Sequence, residues 1–385
     1  MTVGTKARYH FDQVGSYLRP AALKQARADY AAGTIDHETL IQVQHDEIHD
    51  LVVHQHEVGL KDVTDGEFAR SWWHLDFLWG LTGIERYTQE DSYKFHGEKT
   101  RTDNVQLTGK IAFNPEHPFF EDFAYLKSVA PEGTEPKSTI PAPTLLFRDG
   151  RSDRALEFYD SWEAYLDDLA QAYHDTLQHY YDLGSRYVQL DDTTWAFLIS
   201  KLNEFRNDPA ERAKYEKIAT VKGEGKISYK NATDSVYVIN KALDDLPEDF
   251  KISTHICRGN FKSTYLFEGG YAPVAKYLGQ LHYDTYFLEY DDARSGDFEP
   301  LPEIWQGRED VTIVLGLVTS KSPKLESAEA IKNRIAEAAK LVPLENLALS
   351  TQCGFASTEE GNALTEQEEW TKLSFIKHIA DEVWG

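Results

Sequence analysis

The feature that most constrains the fold is a repeated order of short apolar strands and long amphipathic helices along the 385 residues. The clearest helix pattern covers 161–184, where Ser161 is a candidate N-cap and Gly184 stands at the expected C-terminal stop. A short apolar strand pattern, 186–192, follows directly and ends in two carboxylates. This order is typical of a parallel sheet whose crossover helices cover its outer face.

Eight strands of this kind are predicted, most of them separated by a segment of helical pattern. They lie at 12–18, 61–68, 138–143, 186–192, 251–257, 285–292, 311–320 and 346–355. Eight β/α repeats favour an α/β fold of the (β/α)8 TIM barrel type, and the chain length fits a single barrel domain over residues 1–385 with insertions. A doubly wound sheet would give a similar pattern and is the alternative.

Two segments do not fit a bare barrel. Residues 83–115 are polar and alternate like a β-hairpin, and residues 201–229 are strongly charged. Both are predicted to be insertions at the rim of the barrel, where they would act as lids or loops.

The charge balance excludes some classes of partner. The chain has 40 basic and 64 acidic residues, a formal net charge of −24, so neither nucleic acid nor an anionic membrane is an expected partner. The N-terminus has no signal-peptide core and no apolar run is long enough to span a bilayer, which predicts a cytoplasmic protein. In that compartment the two cysteines, Cys257 and Cys353, are expected to be free thiols or metal ligands. No feature of the sequence specifies an oligomeric state.

Reactive side chains gather at the C-terminal ends of the predicted strands, the edge at which (β/α)8 barrels carry their functional residues. They are Ser16, Asp65, Glu67, Asp191, Asp192, His255, Cys257, Glu289, Lys321 and Cys353. Singly, each would also suit a helix cap or a salt bridge in the barrel. Their shared placement at one edge predicts a functional site.

Two of these residues suggest a metal site. His255 and Cys257 alternate with other residues along one strand, so they lie on one face, roughly 6.5 Å apart. Cys353 supplies a second thiolate if the eighth strand lies near the fifth across the mouth of the barrel, and Glu289 is the nearest strand-end oxygen. Two thiolates, an imidazole and a carboxylate favour Zn²⁺. Because these ligands make the zinc centre electron-rich, it is better suited to binding a substrate thiolate than to generating hydroxide from water. The competing interpretations are a buried cysteine beside a core histidine, and a structural zinc site.

Several motifs resemble those of one family along nearly the whole chain. They are 14-VGSYLRP-20, 64-TDGEFARSWW-73, 139-TIPAP-143, 188-VQLDD-192, 254-THICRGNF-261, 287-FLEYD-291, 315-LGLVTSKSP-323 and 351-TQCGF-355. Together they resemble the catalytic, C-terminal barrel of cobalamin-independent methionine synthase, in the short single-barrel branch of that family. The order of the HIC, LE and QCG elements is the most specific part of the resemblance.

The resemblance implies an enzyme that methylates the sulfur of homocysteine to give methionine. It implies that Zn²⁺ is held by His255, Cys257, Glu289 and Cys353. It also implies that the amino acid part of homocysteine is bound by Ser16, Glu67 and Asp191. The expected partners are therefore homocysteine or a related small thiol, together with a methyl donor, either methyltetrahydrofolate or another compound.

Two departures from the long members of that family concern the donor. Those enzymes carry a second, N-terminal barrel that helps to hold the folate, and 385 residues leave no room for it. They also have a histidine, thought to protonate the folate leaving group, where this chain has Lys321. We expect catalytic roles for Asp191 and Lys321, the latter as an acid if its pKa is lowered or else as a binding group for an anion.

Three other functions share parts of this pattern. Epoxyalkane:coenzyme M transferases resemble the same family and alkylate a zinc-held thiol, but their sulfonate substrate would meet the acids Glu67 and Asp191. A decarboxylase on the related uroporphyrinogen barrel needs arginines near its substrate and no metal. A zinc-stabilised binding module would not need the full set of strand-end groups.

Overall fold

The main feature of the fold is a curled parallel sheet of seven strands, seen in a computed structural model that describes residues 9–90, 92, 94, 95, 97–216 and 232–385. Every neighbouring pair is parallel. In sheet order the strands are β1 (Asp62–Val63), β6 (Glu135–Pro141), β7 (Tyr187–Asp192), β8 (Lys251–Ile256), β9 (Thr285–Glu289), β10 (Thr312–Val318) and β11 (Leu347–Thr351).

Helices connect most of these strands. They are α1 (Ala21–Ala31), α2 (His37–Glu57), α3 (Leu75–Leu78), α4 (Pro118–Val129), α5 (Ala155–Phe158), α6 (Trp162–Asp182), α7 (Thr194–Glu204), α8 (Pro209–Glu216), α9 (Ala232–Leu243), α10 (Ala275–Leu278), α11 (Leu301–Trp305), α12 (Ala328–Ala338) and α13 (Glu366–Trp384). The predicted helix 161–184 is confirmed as α6, where the Ser161 side chain accepts a hydrogen bond from the Ala164 N–H and Gly184 follows at φ 95°. In the described ranges, none of the helices combines the length and the apolar character needed to cross a membrane.

The prediction of a first strand at 12–18 is wrong. In the described residues this part of the chain makes one parallel bridge, between Phe11 and Leu349, and then leaves the extended conformation at Gly15, where φ is 120°. The backbone of 12–18 therefore does not supply the row of hydrogen bonds that an eighth strand needs.

Side-chain hydrogen bonds connect this segment to β1 instead. Gln13 Nε2 donates to the backbone oxygen of Asp62 at 2.8 Å, and Thr64 Oγ1 donates to the backbone oxygen of Gly15 at 2.7 Å. The fold is thus an α/β half-barrel with a curled parallel sheet, consistent with a TIM-like barrel, and the described residues do not show the predicted closure by eight strands.

Several predicted strands are shorter than expected at their C-terminal ends. β1 stops before Gly66 and Glu67, whose φ angles of 67° and 62° lie in the left-handed region that strands do not use. β10 and β11 end at Val318 and Thr351, so Lys321 and Cys353 belong to the loops that follow them.

The segment 83–115, expected to be a hairpin-like insertion, contains two antiparallel strand pairs. β2 (Thr82–Thr88) pairs with β5 (Asp103–Ala112), and β3 (Lys94–Phe95) pairs with β4 (Glu98–Lys99) at the tip. The segment 201–229, expected to be a charged lid or loop, begins with the end of α7 and with α8, and its residues 217–229 lie outside the described residues.

One small apolar cluster lies apart from the main core. It consists of Val14, Phe287, Val314 and Ala348. Phe287 is paired in register with His255 and precedes Glu289 by two residues on the same strand, so these three side chains share a face of the sheet. The cluster therefore forms an apolar layer next to the candidate metal ligands.

Candidate metal and substrate site

The four predicted metal ligands meet at the C-terminal edge of the sheet and are all buried. The sulfur atoms of Cys257 and Cys353 lie 3.6 Å apart, although 96 residues separate them in the chain. Ligand atoms of His255, Glu289 and Cys353 all lie within 4.8 Å of one another. The exposed fraction is at most 6% for each of the four side chains.

The pairing of β7 with β8 and a close contact between two loops position the predicted metal ligands. His255 is paired with Asp191 across β7 and β8, and Cys257 follows directly after β8, where its N–H donates to the Asp192 carbonyl at 3.2 Å. Cys353 lies in the loop after β11 and precedes Gly354. A Cβ atom on Gly354 would lie 1.9 Å from the Ser16 hydroxyl, so this position requires glycine for the two loops to meet.

His255 is held between two acceptors. Its Nδ1 lies 3.1 Å from Asp191 Oδ1 and its Nε2 lies 3.1 Å from the Gln352 carbonyl oxygen. Burial lowers the pKa of His255, but the hydrogen bond to Asp191 and the negative charges around the ring outweigh that effect and raise the pKa to about 9. A carboxylate on one ring nitrogen is the usual support for a histidine whose other nitrogen binds a metal.

The donor set fits zinc in its chemistry and spacing. Two thiolates bound to one tetrahedral zinc at about 2.3 Å stand about 3.8 Å apart, close to the observed 3.6 Å and far from the ~2.05 Å of a disulfide. The hydrogen bond between the sulfurs lowers the pKa of Cys353 and raises that of Cys257. Glu289 Oε1 accepts from the Arg258 N–H at 3.0 Å, whereas its buried Oε2 has no hydrogen-bond partner among the described residues.

A small cavity joins the metal ligands to the predicted substrate residues. We call it the thiol pocket; it is lined by Val14, Ser16, Glu67, Trp73, Asp191, His255, Cys257, Cys353, Gly354 and Ser357. All three predicted substrate residues and three of the four predicted metal ligands therefore face one space, and Glu289 lies behind them within ligand distance of His255 and Cys353.

Glu67 is an unusual carboxylate within this pocket. Its Oε1 accepts from Thr139 Oγ1 at 2.9 Å and lies 3.2 Å from Arg70 Nη1, while its buried Oε2 has no partner in the part of the chain that is described. Burial raises the pKa of Glu67 to about 7 despite the opposing charge of Arg70. The backbone of Glu67 is in the left-handed conformation, and backbone strain of this kind is typical of functional sites.

Two of the candidate strand-end residues point elsewhere. Lys321 Nζ lies 3.3 Å from Asp291 Oδ2, and Lys321 is not among the residues that line the thiol pocket. Asp192 accepts hydrogen bonds from the Thr144 hydroxyl and from the Thr194 N–H, both at 2.7 Å, so it supports the start of α7. The proposed catalytic role of Lys321 stays a prediction.

A second cavity next to the thiol pocket was not predicted from the sequence. We call it the aromatic pocket; it is lined chiefly by Trp72, Trp73, Phe95, Phe261 and Phe267, with Cys257 and the polar residues His74, Arg148, Asp149, Arg151 and Asn260. Trp73 and Cys257 line both cavities. The only signal in the sequence was that His74 directly follows the SWW motif, because the arginines and the 257–267 loop come from distant parts of the chain.

Comparisons with known proteins identify the family of the chain. The family model described as the catalytic domain of cobalamin-independent synthase matches residues 159–373, more than half of the chain. The uncharacterized protein YxjG of Bacillus subtilis (strain 168) is 44% identical over 380 residues, which cover 98% of this chain and 96% of that protein.

Two solved structures extend the comparison. The putative vitamin-B12 independent methionine synthase of Listeria monocytogenes has 36% identity and a TM-score of 0.74, with 99% of this chain and 100% of that chain covered. The B12-independent methionine synthase of Shewanella sp. W3-18-1 has 19% identity and a TM-score of 0.68, with 97% of each chain covered, which shows a shared fold. The chain therefore belongs to the cobalamin-independent methionine synthase family, and it corresponds to the catalytic domain in its short, single-domain form.

Proposed function

We propose that this protein is a zinc-dependent S-methyltransferase that converts homocysteine to methionine. The observation that carries the proposal is the thiol pocket itself, in which His255, Cys257 and Cys353 share one cavity with the acids Glu67 and Asp191. A ligand that fits both sets of groups must carry a thiol and an ammonium, as homocysteine does. A sulfonate thiol would instead bring its negative charge against the two acids.

The substrate residues divide between the two charged groups of an amino acid. Glu67 Oε2, which is buried and unsatisfied in the described structure, is the acceptor that an ammonium would supply with a hydrogen bond. Asp191 adds a second negative charge to the same cavity. Ser16 offers its hydroxyl and nearby backbone N–H groups to the carboxylate.

His255, Cys257, Glu289 and Cys353 would hold the zinc ion. When bound, zinc keeps a substrate thiol deprotonated at neutral pH and still nucleophilic. Asp191 orients the His255 ring through Nδ1. Glu289 would be the most exchangeable of the four ligands, because a carboxylate is held less tightly than the two thiolates.

The proposal is tested with zinc-loaded wild-type protein and the variant Cys353→Ser. Methionine formation from homocysteine is measured with four donors: methyltetrahydrofolate monoglutamate, its polyglutamate, a methylcorrinoid and a methylsulfonium compound. We expect turnover with at least one donor, and loss of both zinc and turnover in Cys353→Ser because a ligand is missing.

Ser357→Ala is the matched control. Ser357 Oγ lies 3.8 Å from Cys353 Sγ and lines the same cavity, but the hydroxyl is not a proposed ligand, so this variant should keep its zinc. A Cys353→Ser protein with full zinc content and full turnover would contradict the assignment.

A further inference from the structure

Thr139 is a buried residue on the face of the sheet that carries the candidate site. It lies in β6 and is paired in register with Gln189 of β7. Asp191, two residues further along β7, is paired with His255 of β8. Because paired residues and residues two apart in a strand point to the same face, the Thr139 side chain shares the face of Asp191 and His255. Thr139 is not among the residues that line either cavity, so it can act on a ligand only through a neighbour.

The hydrogen bonds of the Thr139 hydroxyl have a defined direction. Its Oγ1 lies 3.1 Å from Arg70 Nη1 and 2.9 Å from Glu67 Oε1. A guanidinium group only donates, so the hydroxyl accepts from Arg70 and its single hydrogen is left for Glu67. None of the three residues is more than 3% exposed. They therefore form a buried chain that runs from Arg70 through Thr139 to the carboxylate of Glu67.

This chain holds the Glu67 carboxylate by one of its oxygens. Arg70 Nη1 lies 3.2 Å from Oε1, the oxygen that also accepts from Thr139, whereas Oε2 has no hydrogen-bond partner among the described residues. Glu67 follows the end of β1 with a φ of 62°, so the regular geometry of a strand does not fix its side chain. The position of the carboxylate thus depends on Thr139 and Arg70.

The same hydrogen bond favours the charged form of Glu67. Burial raises the pKa of this carboxyl group to about 7, and the charge of Arg70 and the hydrogen bond from Thr139 both oppose that effect. Without the Thr139 hydroxyl, the carboxyl group would carry a proton more often at neutral pH. A protonated Glu67 would attract an ammonium group less strongly.

The methyl group of Thr139 has a separate contact. A Cβ atom on Gly15 would lie 2.9 Å from Thr139 Cγ2, so this methyl group packs close to the backbone that precedes Ser16. Valine in place of Thr139 keeps a methyl group there and removes the hydrogen bond. Serine keeps the hydrogen bond and removes the methyl group, so the two substitutions separate the two contacts.

We propose, on the basis of the proposed function, that Thr139 is a positioning residue for the ammonium group of the substrate. Its hydroxyl holds the Glu67 carboxylate in place and ionised, and in this way sets the affinity for a thiol that carries an ammonium group. Hydrogen bonds between charged groups are strong, and their strength depends on the placement of both partners. A thiol without an ammonium group should gain nothing from Thr139.

The test measures thiol binding by isothermal titration calorimetry in zinc-loaded wild-type, Thr139→Val and Thr139→Ser proteins. The ligands are homocysteine and 4-mercaptobutanoate, which has the same thiol and carboxylate but no ammonium group. We expect Thr139→Val to weaken homocysteine binding by about 10-fold at pH 7, the usual scale for a hydrogen bond to a charged group, and to leave 4-mercaptobutanoate unchanged. Thr139→Ser should recover most of the affinity for homocysteine.

Thr176→Val is the matched control. It removes a buried hydroxyl that donates to the Ala172 carbonyl at 2.7 Å within α6, and it should leave the binding of both thiols unchanged. Unchanged homocysteine affinity in Thr139→Val, an equal loss with both thiols, or no recovery in Thr139→Ser would overturn the inference and leave the proposed function standing. A wild-type protein that binds neither thiol, or binds both equally well, would overturn the proposed function and the inference with it.

Discussion

Among single residues, Asp191 combines the most roles. Its Oδ1 accepts from Gln189 Nε2 at 2.9 Å and lies 3.1 Å from His255 Nδ1, and its side chain also lines the thiol pocket. Its neighbour Asp192 is turned away and supports α7. Because successive side chains of a strand point to opposite faces, Asp191 lies in the candidate site while Asp192 has a structural role, although the sequence shows only two adjacent aspartates.

The substitution Asp191→Asn tests the support of His255. Without the negative charge the imidazole loses both its orientation and part of its basicity, so zinc affinity should fall by roughly 10–100-fold. Competition with a chromophoric chelator measures that affinity directly. Asp192→Asn is the control: it should lower the free energy of unfolding but leave zinc affinity at the wild-type value, and equal zinc affinity in all three proteins would contradict the role of Asp191.

Among elements, the loops that carry the substrate residues are joined by one buried arginine. Arg19 Nη1 donates to the carbonyl oxygens of Tyr17 and Ala356, both at 2.9 Å. Its Nη2 donates to those of Glu67 at 2.7 Å and Arg70 at 3.2 Å. The side chain is 1% exposed, so a single guanidinium connects the segment after Ser16, the turn at Glu67 and the loop after Cys353.

The substitution Arg19→Lys should therefore loosen three loops together. A single ammonium cannot reach four carbonyls, and each buried acceptor left unpaired costs about 1–3 kcal/mol. We expect the free energy of unfolding, measured in urea, to fall by roughly 3 kcal/mol, and KM for homocysteine to rise while zinc content is kept. Arg186→Lys, at a half-exposed ion pair with Asp249, should change stability by less than about 0.5 kcal/mol; a similar small change in Arg19→Lys would refute the role of Arg19.

The predicted elements differ in how well the sequence indicates them. Strands β7 to β11 are buried along their whole length, and β10 reads as a nearly continuous apolar run, so the positions of these strands could be predicted. The segment 12–18 has the same composition, but its pairing is replaced by side-chain bonds that only the tertiary structure shows. The sequence also could not show where the side chains of Lys321 and His74 point, because the direction of a loop side chain depends on partners far away in the chain.

In the whole molecule, the inner face of the sheet has a second polar cluster, on the other side of the apolar layer from the metal ligands. Lys137 Nζ lies 3.0 Å from Asp12 Oδ1, 3.6 Å from Asp62 Oδ2 and 4.5 Å from the centre of the Phe287 ring. Lys251 Nζ lies 3.6 Å from Asp12 Oδ2. These buried charges lie in or beside strands, and nothing in the sequence distinguishes them from the site residues.

Asp62 makes this cluster sensitive to pH. Burial, followed by the charge of Asp12, raises the pKa of Asp62 from 3.8 to about 8, so the folded protein holds the proton more tightly than the unfolded chain does. The stability from this group is complete below pH 3.8 and is lost as the pH rises to about 8. Asparagine cannot ionise, so Asp62→Asn should gain stability relative to the wild-type protein as the pH rises.

We expect this gain to exceed about 1 kcal/mol between about pH 5 and about pH 8, because one unit of pKa corresponds to about 1.4 kcal/mol. Urea unfolding of both proteins across that range measures it. Asp50→Asn, at a side chain that is 74% exposed, removes a carboxylate where solvent already stabilises the charge, so its stability should track the wild-type curve. If the curves for Asp62→Asn and the wild-type protein stay parallel, Asp62 is already ionised in the folded protein, and the Lys137 ammonium then outweighs the combined effect of burial and Asp12.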